Sequence, residues 1–198
     1  MDVAVIDAGG ANLGSVRYAL ERLGISPRIV RDADALRGAD RVILPGVGAA
    51  PPAMEMLRER GLDVALRVSQ APLLGICLGL QLLYERSEEG DVDCLGLLPG
   101  TVRRMRPARG VRIPHMGWNR LRRRRDTPLL QGIAGDAWAY FVHGYAAPAD
   151  EACVADCTHG DTFAAVVQRE RIAGAQFHPE RSAAAGARLL ANFLQGAA

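Results

Sequence analysis

Leu73-Leu74-Gly75-Ile76-Cys77-Leu78-Gly79-Leu80-Gln81 is the stretch on which the reading of the whole chain turns. Leu73 to Ile76 is an apolar run of strand length, and it leads directly into Gly-x-Cys-x-Gly and a helix-forming segment. Strand, sharp glycine-flanked turn and helix together form the thiol version of a nucleophile elbow. The turn needs small neighbours at Gly75 and Gly79, and it lifts Cys77 above the carboxyl end of a sheet, at the start of the next helix. Free amides and the helix dipole there favour a thiolate over a thiol, and the amide of Leu78 points to where an oxyanion would form. A buried, inert cysteine at a strand end is the bland alternative.

Working toward the N-terminus, the same alternation repeats. Val3 to Ile6 reads as a strand, Leu13 to Leu23 as a helix with Leu13, Val16, Leu20 and Leu23 on one face, and Arg28 to Val30 and Arg41 to Leu44 as strands. Pro51 to Arg60 reads as a helix with its prolines in the first turn. This pattern predicts an α/β fold: a doubly wound, mostly parallel sheet with helices on both faces. Toward the C-terminus the character changes. Thr101 to Arg106, Ala137 to Val142, Ala152 to Asp156, Phe163 to Gln168 and Ile172 to Ala175 are short strand-like runs with turns between them, which predicts an antiparallel extension. A last helix over 183–194 closes the fold. No repeat, linker or boundary divides residues 1–198, so one domain is expected.

Two further segments complete a candidate site. In His178-Pro179-Glu180 the proline pushes His178 into an extended backbone at the end of the run from Ile172 to Phe177. Side chains two apart on such a chain point the same way, so Glu180 can hold the ring nitrogen of His178 that faces away from Cys77. The pair then serves as general base and orienting acid, where the tripeptide alone would be only an exposed turn. Leu44-Pro45-Gly46-Val47-Gly48 ends another predicted strand, and its glycines let the backbone at Val47 and Gly48 turn an amide toward a developing oxyanion. A plain Gly/Pro turn is the alternative there.

Composition sets the surroundings of this site. Hydrophobic residues make up 49% and charged residues 23%, with a net charge of +2, as in an ordinary globular protein. The apolar runs are too short to span a bilayer and the first residues lack the basic region of a signal peptide, so a cytoplasmic protein without a membrane segment is expected. Of the four cysteines, Cys153 and Cys157 have the spacing of a metal clip, but no second pair completes a site, and no metal is expected. Ten of the 24 basic residues, all arginines, fall between Arg103 and Arg125. Trp118 is the only aromatic among them, so a solvated strand pair or a rim facing an acidic partner is expected, and no nucleic acid.

In this order, Pro-Gly-Val-Gly, Gly-Ile-Cys-Leu-Gly-Leu-Gln and His-Pro-Glu resemble the class I (triad) glutamine amidotransferases, whose fold is flavodoxin-like. Ile6-Asp7-Ala8-Gly9-Gly10-Ala11-Asn12-Leu13, Pro114-His115-Met116-Gly117-Trp118-Asn119, Tyr140-Phe141-Val142-His143-Gly144-Tyr145 and His178-Pro179-Glu180-Arg181-Ser182 are similar to one branch of that family, the glutaminase subunits of imidazole glycerol phosphate synthase in histidine biosynthesis. The resemblance implies hydrolysis of glutamine to glutamate and ammonia through a thioester on Cys77, with no cofactor. It implies a heterodimer in which ammonia is channelled to a (β/α)₈ cyclase subunit. It places Gln81, His143, Gly144 and Tyr145 around glutamine, and Asn12, Met116 and Trp118 at the cyclase interface. Ala8, Ala11, Ala50, Gly144 and Ala183 depart from the usual tyrosine, glycine, aromatic, serine and glutamine. These departures keep open a paralogue feeding another acceptor, such as a sugar-modifying synthase. Two more readings compete with it: a free-standing thiol hydrolase, and a binding subunit that is catalytically silent.

Overall fold

The computed structural model describes residues 1–9 and 12–197. The expectations attached to Gly10 and Ala11 lie outside the described residues. Elements follow in chain order as β1 (Val3–Ile6), α1 (Leu13–Arg22), β2 (Arg28–Val30), α2 (Ala33–Leu36), β3 (Arg41–Gly46), α3 (Ala50–Glu59), α4 (Leu62–Val68), β4 (Leu73–Cys77), α5 (Leu78–Gln81), β5 (Tyr84–Ser87), β6 (Val92–Asp93), β7 (Leu98–Arg104), β8 (His115–Arg120), β9 (Arg122–Arg123), β10 (Trp138–His143), β11 (Tyr145–Ala146), β12 (Cys153–His159), β13 (Asp161–Arg169), β14 (Ile172–Ala175) and α6 (Ala183–Leu194).

An eight-stranded sheet runs in the order β2-β1-β3-β4-β14-β13-β12-β9. Its first five strands pair in parallel, and the rest pair antiparallel. Two smaller pieces complete the structure, the antiparallel ribbon β8/β10 and a four-stranded sheet ordered β11-β7-β5-β6.

Alternation along the parallel strands sorts their side chains between two cores. Val3, Val5, Ile43, Leu74 and Ile76 pack on α1 and α6 through Val16, Leu20, Leu189 and Phe193. Ala4, Ile6, Val42, Leu44 and Leu73 face the other way and meet Met54, Leu57, Leu62 and Leu66 of α3 and α4. Each fully buried large aliphatic here contributes about 1.5–3 kcal/mol, and this double layer fixes the height of every strand end. The expected α/β architecture with helices on both faces and an antiparallel extension is therefore what forms.

Several boundaries differ from the sequence reading. β3 runs on past Leu44 to Gly46, and β4 includes Cys77. The helix after Cys77 is a single turn, so it supplies free amides rather than the dipole of a long helix. Arg122 to Arg125, expected as a solvated strand pair or a rim facing an acidic partner, is exposed at Arg122, Arg124 and Arg125 and also bonds its own chain. Arg122 donates twice to buried Asp156, at 2.8 Å each, which fastens β9 to β12, while Arg124 and Arg125 donate to the carbonyls of Ala149 and Gln168.

Candidate active site

Register in the parallel sheet brings the candidate groups to one level. Gly46 of β3 lies opposite Cys77, and Ala175 of β14 lies opposite Ile76, so Gln176 follows beside the cysteine. Cys77 itself has φ 55° and ψ −110°, a conformation that costs a non-glycine residue about 1–3 kcal/mol. Its neighbours leave no alternative. A Cβ on Gly79 would sit 1.7 Å from the Leu44 carbonyl oxygen, and one on Gly75 would sit 2.6 Å from that of Gly79. Both glycines are thus required by close backbone approach, as the elbow reading expected.

His178 is buried at the carboxyl edge, its amide donating to the Tyr140 carbonyl at 2.9 Å. Its Nδ1 lies 2.7 Å from Glu180 Oε1, so the expected contact forms, but for a different reason. Pro179–Arg181 is a 3₁₀ turn rather than extended chain, and the turn folds Glu180 back onto the ring. Since Nδ1 must give its proton to that carboxylate, Nε2 is the nitrogen left for Cys77. Burial pulls the imidazole toward lower pKa, but hydrogen bonding and charge from Cys77 and Glu180 outweigh it and raise it to about 10. The ring is therefore suited to carry a proton beside a sulfur anion. Cys77 Sγ also donates to the Val142 carbonyl at 3.6 Å and accepts from Gln176 Nε2 at 3.9 Å.

The cysteine and histidine open on a cavity of about 280 Å³, which Val47, Gly48, Leu78, Gln81, His143, Gly144 and Tyr145 also line. The expected oxyanion and substrate residues are thus brought together. Leu78 occupies the first position of α5, where its amide has no intrahelical acceptor, and Gly48 holds φ +99°. Gln81 donates to the Tyr145 carbonyl at 2.8 Å and to Gln176 Oε1 at 3.1 Å, which uses both its N–H bonds and leaves its own carbonyl oxygen as an acceptor. His143 gives its Nδ1 proton to the same Tyr145 carbonyl at 2.9 Å, so its Nε2 accepts from His115 Nδ1 at 3.1 Å. Burial lowers the pKa of His143 to about 4 and of His115 to about 3, which keeps both rings neutral.

Three groups were missed from sequence. Gln176 lies within the run from Ile172 to Phe177, where no sequence signal singles it out. Glu89 lines the cavity and caps the Ala50 amide at 2.8 Å, yet it lies in the polar stretch Ser87-Glu88-Glu89-Gly90, which reads as a turn. His115 stands behind His143 and was read only as part of a motif. A larger groove of about 860 Å³, with Arg103, Arg104 and Arg106 in its wall, is lined by no cysteine.

Asn12, Met116 and Trp118 occupy two places. Asn12 sits within the triad, donating to Glu180 Oε1, rather than only on the rim. Met116 and Trp118 are 65% and 50% exposed on the outer face of β8, beside Trp138 at 50%. Register places Trp118 opposite Tyr140 and Met116 opposite Val142. The same ribbon turns His115 and His143 inward. An exposed aromatic ridge and the wall of the cavity are thus two faces of one two-stranded ribbon.

A nucleophile elbow, an imidazole held by a carboxylate and a backbone-lined cavity can together carry out acyl transfer from an amide. The family model "Glutamine amidotransferase class-I" matches residues 4–197. The chain belongs to the class-I glutamine amidotransferases. Among its relatives, imidazole glycerol phosphate synthase subunit HisH of Xanthomonas axonopodis pv. citri (strain 306) is 68% identical over 98% of this chain and 97% of that protein. The protein of the same name from Xylella fastidiosa (strain Temecula1 / ATCC 700964) is 63% identical over the same shares. A solved structure described as a glutamine amidotransferase superposes with a TM-score of 0.77 at 24% identity, covering 98% of each chain. A chain of PurLQS from Thermotoga maritima gives 0.73 at 22% identity, covering 98% of this chain and 97% of that one. These two structures speak for the fold alone. Among the described residues, no helix is long and apolar enough to cross a membrane, and no group of three or more His, Cys, Asp or Glu side chains is placed to hold a metal ion.

Proposed function

We propose that this class-I amidotransferase is the glutaminase subunit of an imidazole glycerol phosphate synthase, acting in the cytoplasm as one amidotransferase unit over residues 1–198. It hydrolyses glutamine to glutamate and ammonia. The ammonia passes to a (β/α)₈ cyclase subunit that makes imidazole glycerol phosphate and aminoimidazole carboxamide ribotide in histidine biosynthesis. The observation that carries this reading is the convergence of Cys77 and His178, with Glu180 bonded behind the ring, on a cavity lined in part by Val142 and His143 of the exposed β8/β10 ribbon.

In the reaction, Cys77 Sγ gives its proton to His178 Nε2 and attacks the side-chain amide carbon of glutamine. Negative charge on the carbonyl oxygen is met by backbone amides of Val47 or Gly48 and of Leu78; one such donor is worth about 10²–10³ in rate. His178 then protonates the leaving nitrogen, ammonia departs, and a glutamyl thioester remains. Water, deprotonated by the same imidazole, releases glutamate and restores the thiol. Glu180 holds the ring tautomer, and Asn12 holds Glu180. The carbonyl oxygen of Gln81 and the carboxylate of Glu89 are the acceptors for the substrate's ammonium group, beside His143, Gly144 and Tyr145. Met116 and Trp118 meet the cyclase, being large apolar side chains of the type that dominates binding interfaces.

The test is steady-state glutamate release by the chain on its own, with its organism's cyclase, and with that cyclase plus its ligand. Slow turnover on its own and strong stimulation by the liganded complex are expected, with no turnover in Cys77→Ala. Full activity without the partner would favour a free-standing hydrolase.

A further inference from the structure

Cys77 Sγ rests between two groups of opposite character. The Val142 carbonyl, 3.6 Å away, can only accept a hydrogen bond, whereas Gln176 Nε2, 3.9 Å away, can only donate one. A thiol can use both contacts. A thiolate has no proton for Val142, and that carbonyl dipole then opposes the charge. The donor at Gln176 is what favours the anion from the sheet side of the sulfur.

The orientation of Gln176 is fixed rather than assumed. Its Oε1 accepts from Gln81 Nε2 at 3.1 Å, and the second proton of Gln81 Nε2 goes to the Tyr145 carbonyl at 2.8 Å. Flipping the Gln81 amide would set two oxygens face to face at Tyr145, and flipping Gln176 alone would set two NH₂ groups face to face. Gln176 is fully buried, so water does not offer its amide another partner. Its place beside the elbow follows from the β14/β4 register that pairs Ala175 with Ile76.

We propose that Gln176 is a thiolate-stabilising donor of the reaction, held in its working orientation by Gln81. This inference rests on the glutaminase reading and extends it. When the proton of Cys77 moves to His178 Nε2, the sulfur gains the negative charge and the imidazole the positive one. The N–H of Gln176 then bonds a full charge instead of a neutral thiol, and a hydrogen bond to a charged group is the stronger kind. The other charged or titratable groups facing the sulfur are His178 with its Glu180 partner, the neutral ring of His143 and the carboxylate of Glu89 across the cavity. Gln176 stands apart from this set as the side-chain amide that donates to Sγ.

The test is the pH profile of Cys77 alkylation by iodoacetamide, read on the Cys77 peptide by mass spectrometry, in the full chain and in Gln176→Leu. Loss of a long hydrogen bond to a charge predicts alkylation at pH 7 slower by about tenfold, and a profile displaced to higher pH by about one unit. The kcat for glutamate release in the complex should fall by a similar factor, with a smaller change in KM. Superimposed profiles in a folded Gln176→Leu protein would overturn the proposal, even if its melting temperature fell, because a purely structural role lowers stability without moving the profile. If that variant does not fold, Gln176→Met retains the length and flexibility of the side chain without the donor, and the same comparison decides. Should wild-type Cys77 react no faster at pH 7 than Cys94, Cys153 and Cys157, the glutaminase reading and the proposal fail together. A reactive Cys77 with unshifted profiles removes Gln176 alone.

Discussion

Gly79→Ala is the smallest change expected to damage the site most. The added Cβ would lie 1.7 Å from the Leu44 carbonyl oxygen, whereas ordinary contact begins at 3.4 Å. The backbones of α5 and β3 must therefore part by about 1.7 Å, since neither atom belongs to a flexible side chain. Overpacking of this kind costs about 3 kcal/mol, which for a chain of this size corresponds to a melting temperature lower by roughly 6–12 °C. Activity should suffer separately. β3 carries Gly46, opposite Cys77, and leads into Val47 and Gly48, so the strand pushed away is the one proposed to supply oxyanion donors. Displacement of about 1 Å at such a position costs on the order of 10² in rate. The assays are differential scanning fluorimetry and glutamate release at saturating glutamine, with Cys77 alkylation showing that the nucleophile persists. Gly48→Ala is the control. Nothing lies within 4 Å of a Cβ there, so only its φ of +99° is strained. Gly79→Ala with a melting temperature within about 2 °C of wild type and unimpaired turnover would refute the claim that the elbow is held by the approach of β3.

Three further outcomes follow from the site. Glu180→Gln should lose less glutaminase activity than His178→Ala, because in the proposed mechanism the carboxylate orients the ring while the ring itself moves the proton; equal losses with unchanged structure would contradict that division. His178 has its pKa raised on folding, to about 10, so its contribution to stability is complete below about 6.5, its usual value, and fades as pH rises toward 10. Melting temperature against pH should therefore decline more steeply in wild type than in His178→Gln between those limits, and parallel curves would count against the coupling. Gly144→Ser should be accommodated, since a Cβ there meets Ile113 and Pro114 at an ordinary 3.9 Å. It adds a hydroxyl at the cavity, and the KM for glutamine is expected to fall severalfold; an unchanged KM would mean the hydroxyl finds no substrate atom.

Much of the parallel half of the fold was legible because its signals are local. Apolar runs of strand length, glycines at strand ends and prolines in a first turn each report on a few neighbouring residues. β5, β6, β8, β9 and β11 carry little strand signal because they are short or partly polar, and β9 and β11 are defined only by distant partners, β12 and β7. The triad was readable from Cys77 and His-Pro-Glu, although the contact of Glu180 with His178 comes from a 3₁₀ turn that extended-chain reasoning does not supply. Asn12 was placed on the partner surface by resemblance, and its bond to Glu180 spans most of the chain length, which no local pattern encodes. Gln176 was invisible for the opposite reason. Its chemistry depends on one strand register and on two amides that fix each other's orientation.

Cys77, set on the elbow beside His178, is the proposed nucleophile for glutamine. The most direct measurement is labelling of the full chain at pH 7 by a glutamine analogue bearing an electrophile at the amide position, followed by peptide mass spectrometry. Burial pushes the thiols of Cys94 and Cys153 up to about 11 and that of Cys157 to about 12, so they should stay protonated and unreactive. Stoichiometric label on Cys77 alone is expected, prevented by excess glutamine and lost in His178→Ala. Label chiefly on Cys94, Cys153 or Cys157, or label on Cys77 that glutamine does not prevent, would contradict it.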